Sequence, residues 1–324
     1  MAKMKFLPKK LKTCYNIRMQ KNATITCYDI SSESEKLTYV DDFLKEIENA
    51  LNNSKTVASR IRYLSDLNEE GESQFISSFN ISKEGLFCAF LYMEKGSGVN
   101  IPESLMNAKE FDLQDAEADA DSKITGHVKE ATYFFMTNKY LVLKNSRGIS
   151  KEAVSIYLNY LLENMSQKYK GKARSLFLKY HIRKNFDVTK IKSFALGDGY
   201  KINQKSLIST VSKAINLKSI FGAVDMDGLS IENVLSASIV FKIKRLPKNS
   251  ENERIKIAQT IFDGFNTDNV KFMGKGGATL SVEEAKTTHE FSLNYPDGSR
   301  FPDKDMLKEE MVKFIAEVER ESNS

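Results

Sequence analysis

Lysine and arginine are the residues in this sequence best suited to binding a partner, and they are concentrated in one segment. Residues 166–220 hold thirteen Lys and Arg against two acids, a net charge of +11 in a chain of 324 residues whose total is only +5. Cations at this density repel one another unless an anion faces them. The segment therefore predicts a polyanionic partner: nucleic acid, an anionic membrane surface, or acidic residues of a protein, including those of this chain.

Double-stranded DNA, bound without sequence preference, is the partner that we predict from these cations. Lysine predominates, and an ammonium group neutralises phosphates as a point charge rather than reading guanine edges in a bidentate manner. Aromatic residues lie between the cations, and we expect them to belong to the core rather than to stack on bases. The predicted DNA-binding residues are Lys168, Lys170, Lys172, Arg174, Lys179, Arg183, Lys184, Lys190, Lys192, Lys201, Lys205, Lys242, Lys244, Arg245 and Lys248.

Two weaker patterns leave alternatives open. Asp268 and Glu284 with the neighbouring Lys286 have the residue types of a metal-dependent nuclease, in which carboxylates hold Mg²⁺ and activate water. The glycine-rich residues 274–277 favour a turn between two strands over a phosphate-binding loop, because the P-loop spacing is absent. A third hypothesis is an interaction module that binds an acidic protein or anionic lipid. We predict a protein that is not an enzyme, with no catalytic residue, metal site, cofactor or small-molecule substrate.

The cysteine count and hydropathy favour a cytoplasmic protein. Cys14, Cys27 and Cys88 are odd in number and lack the spacing of a disulfide framework, which is typical of reduced proteins. We expect them to be buried structural thiols. No apolar run approaches the roughly 18 residues of a membrane span.

Hydrophobic periodicity predicts an α+β fold with mostly antiparallel sheets and packed helices. The strongest unit is a hairpin over 131–143 followed by a helix with Ser150 as its N-cap. Helices are also predicted over 40–51, 203–218 and 251–265 and from Asp303 onwards. Further strands are predicted over 12–30, 57–64, 85–93, 235–243, 270–273, 278–282 and 290–295.

The charge distribution also suggests a division into two domains. Residues 102–122 hold seven acids and only Lys109 as a cation, and we predict a long acidic loop there. The predicted domains are 1–167, an α+β domain that contains this loop, and 168–324, a basic α+β domain. One hypothesis is that the acidic loop competes with DNA for the basic segment.

Three blocks of sequence resemble the RexA-type phage exclusion proteins of lambdoid prophages. The blocks are 131–143 (ATYFFMTNKYLVL) with Gly148 and the helix through Leu162, 239–245 (IVFKIKR) with the helix 251–265, and 289–295 (HEFSLNY) with the helix 304–315. They are mainly apolar patterns and cover about a third of the chain.

This resemblance implies a cytosolic DNA-binding protein that acts in phage defence by exclusion or abortive infection. It further implies a homodimer related in fold to the ring-forming RdgC DNA-binding proteins, with a membrane effector protein as a partner. No catalytic residue is carried over to this chain by the resemblance.

Overall fold

The chain forms two antiparallel sheets and five helices within the residues that the computed structural model describes. These residues are 19–32, 43–64, 72–94, 98–118, 124–171, 175–183, 191–196, 239–242, 270–274, 279–281, 285–296 and 299–323. The strands are β1 Met19–Ser31, β2 Arg62–Tyr63, β3 Ser73–Ile81, β4 Leu86–Glu94, β5 Val99–Pro102, β6 Ile124–Met136, β7 Tyr140–Lys144, β8 Phe177–Tyr180, β9 Ile191–Leu196, β10 Ile239–Lys242, β11 Val270–Gly274, β12 Thr279–Ser281 and β13 Thr288–Tyr295. The helices are α1 Phe43–Asn53, α2 Glu103–Met106, α3 Leu113–Ala118, α4 Lys151–Met165 and α5 Lys304–Asn323.

The larger sheet has nine strands in the order β13-β1-β7-β6-β4-β3-β2, with β5 paired to β6 and β8 paired to β1. Every pairing between its strands is antiparallel. The predicted α+β class with antiparallel sheets is therefore confirmed. The predicted helices over 203–218 and 251–265 lie outside the described residues.

Helix α4 covers one face of this sheet. The Ser150 hydroxyl accepts a hydrogen bond from the Ala153 amide at 3.2 Å, which caps the helix as predicted. Its apolar stripe, including Tyr157 and Leu161, is buried in the same cluster as Phe134 and other residues of the sheet. The hydroxyl of Tyr157 donates to the Arg60 carbonyl at 2.8 Å, so the polar end of this buried ring is satisfied.

Helix α5 covers the other face. Its buried residues recur at helical spacing and pack with the opposite set of strand residues, among them Ile25 and Phe135. Successive strand residues point to opposite faces, and this alternation puts Ile25 under α5 and Tyr28 under α4. The sheet is thus the central layer between helices. The buried α5 residues are Leu307, Met311, Phe314, Ile315 and Val318.

The predicted strand over 57–64 is wrong for most of its length. Residues Ala58–Arg60 form a 3₁₀ turn, and only Arg62–Tyr63 pair as β2. The cause is the fully buried Arg60 side chain, which donates to the Ile76 carbonyl at 2.6 Å and the Ser77 carbonyl at 3.1 Å. These carbonyls lie at a β-bulge in β3, and the guanidinium supplies the hydrogen bonds that a regular partner strand would give. Burial also lowers the pKa of Arg60.

The long acidic loop predicted over 102–122 is also wrong for residues 102–118. The region contains the end of β5 and the short helices α2 and α3. Phe111 and Leu113 are buried in the core under α4, and the Phe111 amide donates to the Ser77 carbonyl at 3.0 Å. Phe111 and Leu113, with Met106 of α2, are the buried apolar residues that anchor this acidic region to the core.

A smaller sheet of four strands, β10-β9-β11-β12, is formed by residues between β8 and β13. Strands β8 and β13 come from the predicted second domain, yet both pair with β1 of the predicted first domain. The larger sheet therefore includes strands from both sides of the predicted boundary at residue 168. A division into two domains stays a prediction.

Candidate nucleic-acid interface

The structure describes part of the predicted set of cations. Side chains are described for Lys168, Lys170, Lys179 and Arg183, and backbone positions for Lys192 in β9 and Lys242 in β10. The other predicted residues, Lys172, Arg174, Lys184, Lys190, Lys201, Lys205, Lys244, Arg245 and Lys248, lie outside the described residues.

Lys168 and Lys170 are exposed on the turn that follows α4. The Ser166 hydroxyl organises this turn. It donates a hydrogen bond to the Glu46 carboxylate, and it accepts hydrogen bonds from the amides of Lys168 and Tyr169, both at 3.2 Å. The turn begins at the carboxyl end of α4, where the helix dipole favours positive charge. The two lysines therefore stabilise the helix end while presenting charge to solvent.

The backbone that leads into β8 is held by one buried side chain, Asn159 of α4. Its amide nitrogen donates to the Leu176 carbonyl at 2.7 Å, and its oxygen accepts from the amides of Ser175 at 2.7 Å and Leu176 at 2.8 Å. The Ser155 hydroxyl also donates to the Leu176 carbonyl, at 3.2 Å. These hydrogen bonds fix the start of β8 relative to α4.

Lys179 lies in β8 opposite Asp29 of β1. Two residues later, His181 Nδ1 is 2.8 Å from the Asp29 Oδ1 atom, and its ring meets Tyr140 edge-on with centroids 5.3 Å apart. Alternation puts Lys179 and His181 on the same face of the strand. Asp29 therefore partly neutralises this end of the basic segment.

Arg183, which follows β8, connects this part of the chain to residues 286–288. Its Nε donates to the Lys286 carbonyl at 2.9 Å and an Nη to the Thr288 hydroxyl at 3.1 Å. The bridge between Ile182 and Lys286 and the bond from the Arg183 amide to the Ala285 carbonyl complete the junction. The described residues on either side of 184–284 therefore meet at one point, and Arg183 is exposed there.

Two further lysines lie close together at this junction, and the sequence pattern did not indicate that they would meet. Lys151 and Lys286 are almost fully buried, and their Nζ atoms lie 3.9 Å and 4.4 Å from the ring centroid of Tyr180. A cation near an aromatic ring is attracted by the ring quadrupole. The two lysines are 135 positions apart in the sequence. The packing of α4, which begins at Lys151, and the bridge between Ile182 and Lys286 bring them together.

The described aromatic residues of the basic segment belong mainly to the core, as predicted. Tyr169 is buried and packs against Phe43 with ring centroids 5.2 Å apart. Tyr180 is buried against Tyr28 at 5.1 Å. Neither ring is presented to solvent as a stacking platform for bases.

The acidic stretch is held at a different place, beside the first turn of α5. Asp112 forms an ion pair with Lys304, and a Glu110 carboxylate oxygen accepts from the Phe79 amide at 3.2 Å. Lys308 donates to the Asn80 side chain at 2.7 Å in the same corner, which contains a cavity of ≈ 340 Å³. Asp119 and Asp121 lie outside the described residues, so competition between the acidic stretch and DNA stays a hypothesis.

The other sequence patterns have mixed outcomes. Strands β11 and β12 pair antiparallel, so the prediction that the glycine-rich residues 274–277 join two strands is confirmed. Asp268 and Glu284, the carboxylates of the nuclease alternative, lie outside the described residues. Within the described residues, no group of three His, Cys, Asp or Glu could hold a metal ion.

The two described cysteines are buried structural thiols, as predicted. Cys27 and Cys88 are fully buried and free, and burial raises the pKa of both thiols well above the usual range. A raised pKa keeps the sulfur protonated and unreactive. Cys14 lies outside the described residues.

No described helix is long and apolar enough to cross a membrane. Comparison of the chain with protein-family models and with curated proteins found no match.

Proposed function

We propose that this protein binds double-stranded DNA without sequence preference, through the cations of residues 166–220 and the lysines and arginine at 242–248. The observation that carries the proposal is the net charge of +11 in the first segment, against a total of +5. Among the described residues, the exposed Lys168, Lys170 and Arg183 support it, because long cationic side chains in solvent can approach a polyanion.

The mechanism is phosphate neutralisation with release of condensed counterions. Lysine ammonium groups contact phosphate oxygens at any sequence, so affinity arises from charge and geometry rather than from base edges. If about six phosphates are neutralised, the logarithm of the binding constant falls with the logarithm of salt concentration at a slope of about −5.

The experiment is a fluorescence-anisotropy titration of two unrelated duplexes of equal length between about 50 mM and about 200 mM NaCl. We expect both duplexes to bind equally and with this steep dependence on salt. Absence of binding at the lowest salt, or binding that is insensitive to salt, contradicts the proposal. Binding to anionic vesicles without DNA binding would instead favour the interaction module, and plasmid cleavage with Mg²⁺ that is lost in Glu284→Ala would favour the nuclease.

We further propose a role in phage defence, in which a homodimer binds DNA in the cytoplasm and engages a membrane effector protein. The resemblance to RexA-type proteins supports this role through blocks that include the β6–β7 hairpin and most of β13. The test is the plating efficiency of phage on cells that produce the chain or a Lys168→Ala/Lys170→Ala variant. We expect plating to fall only with the unaltered chain, and equal plating on both strains contradicts the role. Light scattering at known concentration tests the dimer.

A further inference from the structure

The register of the four-stranded sheet separates its residues into two unlike faces. Residues opposite each other in an antiparallel pair share a face, and so do residues two apart along a strand. Phe194 of β9 is opposite both Phe241 of β10 and Phe272 of β11, and Phe272 is opposite Leu280 of β12. The adjacent row on this face contains Leu196, Ile239 and Val270. These seven residues are apolar, and Lys192, two residues before Phe194, is the charged residue that the alternation of β9 adds to this face. Apart from Lys192, this face has the composition of a buried surface.

The other face has a different composition. Its first row places Ser193 opposite Lys242 and Met273, with Thr279 beyond. Its second row places Ala195 opposite Val240 and Lys271, with Ser281 beyond. We define the polar face by its two lysines and three hydroxyl residues, which are Ser193, Lys242, Lys271, Thr279 and Ser281.

We propose that the polar face binds the phosphate backbone of duplex DNA. The inference rests on the proposed function and deepens it by naming a contact surface, with Lys271 as a new DNA-binding residue. Lysine ammonium groups and serine or threonine hydroxyls are the side chains that commonly contact phosphates without reading sequence. No acidic residue occurs in any of the four strands, so the charge of the surface is complementary to DNA.

The register also sets the spacing of the two lysines. Lys242 and Lys271 are two strands and two residues apart, which corresponds to about 12 Å between their Cα atoms from the usual strand spacing and rise. Each strand of DNA carries a phosphate about every 3.4 Å along the axis. The two lysines can therefore contact different phosphates and release separate counterions.

Lys192 belongs to the opposite face of the same sheet. It is two residues before Phe194, so the alternation of β9 places it on the apolar face. The inference therefore assigns the phosphate contacts of this sheet to Lys242 and Lys271 and none to Lys192.

The test compares the unaltered chain with Lys242→Ala/Lys271→Ala and Lys192→Ala in the same salt-dependent titration. We expect the double variant to bind about tenfold more weakly at low salt, with a slope smaller in magnitude by about 2. We expect Lys192→Ala to change the affinity less than about twofold. The conservative Lys242→Arg/Lys271→Arg variant keeps both charges and should retain the affinity, which separates lost contacts from altered folding.

The outcomes distinguish the inference from the proposed function. An unaltered chain that does not bind at low salt overturns both. An unaltered chain that binds, with a double variant of equal affinity and slope, overturns the polar face alone. A larger loss with Lys192→Ala than with the double variant also overturns the inference, because it would assign the contact to the opposite face.

Discussion

The acidic residues 110–115 and the basic residues 168–183 use their charges in opposite ways. In the acidic stretch, Asp112 forms an ion pair with Lys304 of α5, and Glu110 accepts a hydrogen bond from a backbone amide of β3. In the basic stretch, Lys168 and Lys170 are exposed on a turn held by its backbone and by Ser166. Most of the described acidic contacts are therefore internal, whereas these basic side chains extend into solvent.

The charge count of a segment therefore does not reveal whether its charges are available to a partner. Both segments are anchored by buried groups, Phe111 in one case and Asn159 in the other. What differs is exposure, since Lys168 and Lys170 are exposed whereas Asp112 pairs with Lys304 of α5. Substitutions in the two segments test this contrast.

Phe111→Ala should detach the acidic stretch from the sheet. The ring is buried and lies 6.5 Å from that of Phe75, and removing a buried Phe typically costs about 3–5 kcal/mol of unfolding free energy. Urea denaturation measures the loss. The matched control is Ile81→Ala, because Ile81 is 39% exposed and should cost below about 1 kcal/mol. Equal losses in the two variants would show that Phe111 is not the anchor.

Asn159→Ala should destabilise the backbone of residues 175–176, which leads into β8. The change leaves the Ser175 and Leu176 amides without their acceptor, and a buried unsatisfied group costs about 1–3 kcal/mol. We expect a total loss of about 2–3 kcal/mol in urea denaturation. The control is Asn164→Ala in the same helix, since Asn164 is exposed and donates only to the Tyr160 carbonyl. A cost no larger than the control's would contradict the role of Asn159.

Lys168→Ala/Lys170→Ala should weaken DNA binding about tenfold at low salt and reduce the salt slope by about 2 in magnitude, without a comparable loss of stability. The matched control is Lys304→Ala/Lys308→Ala, which removes the same charge at the acidic corner. Anisotropy titrations of the two double variants give the answer. Similar losses in both would mean that net charge, rather than the basic segment, determines the affinity.

Asp112→Asn should have the smallest effect. Its partner Lys304 is largely exposed, and such ion pairs contribute about 0–1 kcal/mol. We expect a stability change below about 1 kcal/mol and an unchanged affinity for DNA. If the affinity instead rises several-fold in the same titration, the acidic stretch competes with DNA after all, and the contrast between the two segments fails.

Periodic segments of the sequence were predictable because their pattern and their packing agree. The helix after Ser150, the β6–β7 hairpin, the strand 86–94 and the last helix all appear where the apolar spacing places them. The strand predicted over 57–64 is wrong for most of its length because Arg60 is buried. Its side chain donates to carbonyl groups of β3, more than a dozen positions away in the sequence. The loop predicted over 102–122 is wrong in its first part because the acids of this region obscure buried apolar residues, among them Met106, Phe111 and Leu113.

The candidate interface was predictable in composition and not in geometry. The sequence places the cations in one segment, and the structure describes only some of them. It did not indicate that Lys151 and Lys286 would lie beside Tyr180, nor that Lys192 and Lys242 would fall on opposite faces of one sheet. The first arrangement depends also on how α4 packs on the sheet, and the second depends on which strands pair and in which register.

The amino-acid sequence alone determined the antiparallel α+β class, the position of its most periodic elements and the uneven distribution of charge. These properties are local, because each depends on residue types within a few turns or one strand. Tertiary packing determines which charges are used internally, how Arg183 meets residues 285–288, and on which face of the smaller sheet each described lysine lies. Those outcomes depend on strand register and on partners distant in sequence, and a shift of one residue would reverse every face.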